Sequence, residues 1–177
     1  MATNPGVERV VAGLEVIIGR SIDRSEPLAE LADEAFEAMG PGSAAQLLEP
    51  ETAHVVAEVF ALDRQRCRSR LERWDVLSDL QQEILVDTIG LSLDPEGLPF
   101  LAQATLETRS NWTALWAAGS LAKFGDQATP IVEALLSKTL VEPRRLYLID
   151  ALEKIGSPRA LAIAETNGES GATEDSL

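Results

Sequence analysis

Two seven-residue runs, Ser120-Leu121-Ala122-Lys123-Phe124-Gly125-Asp126 and Ala151-Leu152-Glu153-Lys154-Ile155-Gly156-Ser157, align at an offset of 31 residues. The alignment sets Gly125 over Gly156, with Leu, Lys and a bulky apolar residue matched before each. About one period earlier, Leu93 occupies the glycine position and Asp94-Pro95 opens a new helix. A fixed period of this size is the mark of helical hairpins that cannot bury their apolar faces alone and therefore stack. The expected fold is all-α: a right-handed α-solenoid of about five hairpins preceded by an N-terminal capping helix. Residues 1–166 are expected to form a single repeat domain, best supported over 78–166, and residues 167–177, small, polar and acidic, a disordered tail.

Helix signals support this reading along the chain. Asn4-Pro5 reads as a cap with proline at the first helical position, after which Val7, Val10, Val11, Leu14, Ile17 and Ile18 recur at helical spacing. Ser25, followed by Glu26 and Pro27, is expected to open a second helix with Leu28, Leu31, Ala32, Ala35, Phe36 and Met39 on one stripe. Ser43 with Gln46 fits a capping box for a helix of about two turns that Pro50 limits. A further helix starts at Pro50 and is expected to break near Asp63, the alternative being one long helix to Trp74. Ser78 with Gln81 is a second capping box, placing Ile84, Leu85, Thr88 and Ile89 on a buried face. Pro99 and Pro130 fall in the first turns of two successive second helices and should bend or tighten those starts. Ser110 and Ser157 are caps, and Trp116 and Tyr147 occupy equivalent positions in successive first helices.

Hydrophobic residues make up 45% of the 177, but aromatics only 5%, so Ala, Leu, Val and Ile must supply most of the packing and helices should approach closely. Formal net charge is -14, which repels nucleic-acid phosphates and anionic membranes unless a local patch overrides it. The charge is uneven. Residues 1–62 carry 3 basic and 11 acidic groups, 63–74 carry 5 and 2, and 75–177 carry 7 and 16. The lone Cys67 forms no internal disulfide, and neither a leader pattern nor a run of 18 apolar residues is present, so the expected location is cytoplasmic.

The runs SLAKFGDQATPIVEALL and ALEKIGSPRALAIAE resemble short HEAT-like repeats of the type found in phycobilisome lyase subunits and many bacterial proteins. The resemblance covers residues 78–165 well and 25–74 loosely. Arg145 fits the arginine that the family carries near the start of its first helix, whereas Ala114 and Gln82 stand there in the preceding repeats. Glu153 and Ala122 replace an inner glycine. The resemblance implies a solenoid whose concave surface, lined by second helices, binds partners; relatives include adaptors, scaffolds and chromophore-lyase components.

Catalytic signals are weak. No glycine-rich phosphate loop follows a strand, no nucleophile elbow is present, and acidic groups such as Asp33, Glu34 and Glu37 sit on polar helix faces. His54 neighbours Glu51 and Glu58 at helical spacing, but with no second His or Cys ligand it reads as a half-buried or surface imidazole rather than a metal ligand. The candidate contact residues are Arg66, Arg70 and Arg73, spaced on one helix face within the island Arg64–Arg73, and Trp112, an aromatic anchor candidate. For the arginines the competing reading is pairing with Asp63, Glu72, Asp75 and acids of adjacent repeats; for Trp116 it is core packing. The function expected is a non-catalytic protein–protein interaction module, an adaptor, scaffold or inhibitory partner, with no cofactor, no metal, no small-molecule ligand and no membrane partner. A basic protein partner would suit the net charge. Alternatives are a bilin lyase component, implied only by the resemblance, and a weaker one, a nucleic-acid-binding helical repeat.

Overall fold

The computed structural model describes residues 5–43, 48, 50–138 and 141–169. Among the described residues there are ten α-helices and no strand. The expected capping box Ser43–Gln46 with its short helix, the Asn4 cap, the Arg64 side chain and the tail from residue 170 lie outside what is described. The chain divides into two compact units, Met1–Ser92 and Leu93–Leu177.

The first unit holds α1 (Pro5–Ile18), α2 (Leu28–Ala38), α3 (Pro50–Phe60), α4 (Arg64–Leu71) and α5 (Asp79–Ser92). Helix α3 packs on α1, α2, α4 and α5, and α4 also packs on α5. Its interior is built from Leu14, Leu31, Phe36, Met39, Val56, Phe60, Leu85 and Val86, all fully buried. Each such side chain contributes about 1.5–3 kcal/mol. Of the α1 stripe, Val10, Leu14 and Ile17 are buried, while Val7 is exposed.

Helix α2 begins at Leu28, two residues later than the Ser25 cap predicts. Asp23 explains the delay, because its carboxylate accepts from both the backbone N–H and the hydroxyl of Ser25 at 2.9 Å, and its carbonyl accepts from Glu26 N. Ser25 is thereby spent on a turn and cannot cap a helix. The break at Asp63 is present: Asp63 Oδ1 accepts from Gln65 N at 3.2 Å and Arg66 N at 3.3 Å, opening α4.

The second capping box forms with an added function. Ser78 N donates to Gln81 Oε1 at 3.0 Å and Gln81 N to Ser78 Oγ at 3.2 Å. Ser78 Oγ also donates to Met39 O, and Gln81 Nε2 to Phe36 O, both at 2.8 Å. The start of α5 thus satisfies orphan carbonyls at the end of α2. Helix α5 is buried on every face from Ile84 to Gly90, more than its four-residue stripe implies.

The second unit holds α6 (Leu98–Glu107), α7 (Asn111–Lys123), α8 (Thr129–Leu136), α9 (Arg144–Ile155) and α10 (Pro158–Glu169). The first helices α7 and α9 pack on each other, and the second helices α6, α8 and α10 touch in succession. Ala114, Ala117, Ala118 and Leu121 of α7 and Leu148, Ala151 and Leu152 of α9 are fully buried. Alanine at these positions is what lets the helix axes come close. Single 3-10 turns, Pro95–Gly97 and Gly125–Gln127, precede α6 and α8, the two helices with Pro99 and Pro130 in their first turn.

The glycine-marked positions share one backbone conformation. Gly125 has φ 58° and Gly156 φ 70°, and Leu93, the residue aligned with them, has φ 50°. Leu93 is the only non-glycine with positive φ among the described residues. Helix α10 runs to Glu169, three residues into the stretch expected to be disordered. Two bonds hold that end: Asn167 Nδ2 donates to Ile163 O at 2.9 Å, and Arg145 Nη2 donates to Asn167 O. Arg145 therefore ties the start of α9 to the end of α10.

Candidate functional site

Three arginines of the island, Arg66, Arg70 and Arg73, face α2. Arg66 Nη1 and Arg70 Nη2 both bind the Asp33 carboxylate, Arg66 Nε also donates to Asp63 Oδ2 at 3.0 Å, and Arg73 lies 3.6 Å from Glu37. Asp33 and Glu37 are one turn apart on α2, so two acids of that helix match three arginines. Arg70 is the most enclosed of these, with its side chain 14% exposed. Its guanidinium sits 4.6 Å from the Phe60 ring centroid and 5.2 Å from that of Phe36, rings that are themselves 5.5 Å apart. A cation held against two buried rings and paired to a carboxylate is a packing element of the first unit. Arg73 and Glu37, both more than half exposed, form a weak surface pair.

Trp112 lies in the first turn of α7 and is 68% exposed. One and two turns further on, Leu115, Trp116, Gly119 and Ser120 line an open groove of about 520 Å³, with Lys123 and Lys154 completing it. Trp116, expected in the core, is half-buried and forms part of this wall. At the repeat offset, Leu146 of α9 corresponds to Leu115 and is 56% exposed. A sizeable apolar face thus stands in water on the first helices of the second unit, with two amines at its end.

His54 of α3 reaches a carboxylate on another helix: its Nδ1 lies 2.8 Å from Oδ2 of Asp87 on α5. The imidazole is 30% exposed and the Asp87 side chain only 3%. The pair ties α3 to α5 through a carboxylate that has almost no access to water. On the same helix, burial and the neighbouring Asp79 charge push the Glu83 carboxyl up to about 7. Cys67 is buried on α4.

Among the described residues, no group of three or more His, Cys, Asp or Glu side chains is placed to hold a metal ion, and no helix is long and apolar enough to cross a membrane. The Asp87 partner of His54 and the lysines of the groove are functional candidates absent from the sequence reading. The lysines were within reach, since the repeat alignment stacks Lys123 over Lys154. Asp87 carries no local signal, lying 33 residues from His54 in a helix whose acid would ordinarily face solvent. No protein-family model, no curated protein and no solved structure matches the chain.

Proposed function

We propose that the chain is a non-catalytic protein–protein interaction module built of HEAT-like helical hairpins, acting as an adaptor, scaffold or inhibitory partner. The observation that carries this reading is the exposed Trp112 beside the Leu115–Trp116 groove, on helices whose other faces are packed with alanine and leucine. A tryptophan two-thirds exposed at the rim of an apolar groove is the type of residue that dominates binding energy when a partner covers it. The succession of first helices on first helices and second on second within residues 93–169 supports the solenoid component of the reading. Three of the five arginines on which a nucleic-acid reading rests, Arg66, Arg70 and Arg73, are engaged with Asp33, Asp63 and Glu37, which weakens that reading.

Affinity capture from the native organism, followed by mass spectrometry, tests the proposal when wild type is compared with Trp112→Ala. The expected outcome is a protein retained by the wild type and lost from the variant, whose circular dichroism stays unchanged. Equal recovery by both, or no retained protein at all, would count against it.

A further inference from the structure

The net charge of -14 points to a basic partner, but the groove on α7 has a different local character. The chain contains three lysines, Lys123, Lys138 and Lys154, and two of them line this groove. Lys154 is held by Asp150 at 2.7 Å, an exposed pair one turn apart that a competing carboxylate can displace at little cost. Asp150 already offsets one of the two amines, so the end of the groove suits one or two acidic side chains rather than a polyanion such as nucleic acid. Trp112 and Lys123 are eleven residues apart, or roughly 16 Å along the helix axis. Three turns of a partner helix cover that distance.

Resting on the interaction reading above, we infer that the groove takes an acidic amphipathic helix of a partner protein. Apolar side chains at i, i+3, i+4 and i+7 of that helix lie on Trp112, Leu115 and Trp116, and carboxylates near one end of the stripe meet Lys123 and Lys154. Complementarity at the lysines sets the orientation and the preference over basic segments, while the apolar wall supplies most of the affinity.

The test uses three synthetic helical peptides with one shared Leu/Phe stripe and a polar face of Glu, Gln or Lys. Each is titrated at low salt into the full ¹⁵N-labelled chain, with the indole N–H signals followed. Trp74, in the other compact unit, serves as internal reference. The Glu peptide should bind roughly tenfold tighter than the Gln peptide, the Lys peptide should be weakest, and the shifts should fall on Trp112 and Trp116. The exposed substitution pair Lys123→Gln with Lys154→Gln should level the Glu and Gln peptides, and Trp112→Ala should weaken the Glu peptide by roughly tenfold. Affinities within twofold of one another, shifts centred on Trp74, or no binding by any peptide would overturn the inference. A partner captured through Trp112 with no preference among the peptides would leave the interaction reading standing and remove only its acidic-helix component.

Discussion

Arg70 and Arg73 are three residues apart on one basic run, yet their surroundings assign them different roles. Arg70 stacks on Phe60 and Phe36 and binds Asp33, so Arg70→Ala should cost about 2 kcal/mol or more in chemical denaturation, and Arg70→Lys should not restore it because an ammonium lacks the flat face that lies on the rings. Arg73→Ala should change stability by less than about 0.5 kcal/mol, as its pair with Glu37 is exposed. Charge reversal at Arg66 and Arg70 would therefore report on the fold of the first unit before it reported on a partner. Leu93 presents the opposite case, a residue at odds with its backbone. With φ 50° at a position where the later repeats have glycine, Leu93→Gly should stabilise by about 1 kcal/mol, while Gly156→Ala, at φ 70°, should destabilise by a similar amount. Thermal melts of the two variants should move in opposite directions.

At the scale of elements, helix α5 concentrates the polar chemistry of the first unit. Its capping box reaches back to the end of α2, so Ser78→Ala should cost about 1–2 kcal/mol: the Gln81 N–H loses its cap and Met39 O loses its donor. Glu83 gives α5 a pH signature. Because its folded pKa, about 7, lies above the ordinary carboxylate value of 4.5, the native state holds the proton more tightly than the unfolded chain. Its favourable contribution is complete below the ordinary value and is lost as pH rises through about 7. Glu83→Gln should match wild type at pH 4 and exceed it at pH 8 by about 1 kcal/mol, a figure reduced for the water that still reaches the carboxyl. Much of the helical layout is legible in the sequence because its signals are local: Asp63, Ser78, Ser110 and Ser157 each accept from backbone N–H groups at the start of a helix. The start of α2 is less legible, because Ser25 has two possible uses and the turn around Asp23 takes it. Burial of α5 on all faces, with Asp87 turned to His54, depends on contacts between distant segments and has no short-range mark.

For the molecule as a whole, the 31-residue offset is the most informative sequence feature, and Leu93, Gly125 and Gly156, which it aligns, all have positive φ. The candidate surface was legible in part. Trp112 is marked in the sequence as an aromatic anchor candidate, whereas the groove beside it requires α7 and α9 to be placed together before Lys154 joins the lining. Net charge is a poor guide to such a surface, since the sum of 29 acids and 15 basic groups says nothing about where two lysines lie. In the proposed function, a partner protein covers the exposed face of α7. Hydrogen–deuterium exchange of the chain, alone and bound to the partner captured through Trp112, tests it most directly. Slowed exchange should centre on peptides spanning residues 111–123 and extend to 144–155; protection confined to the arginine-bearing helix α4 and its neighbour α2, with α7 unchanged, would contradict it.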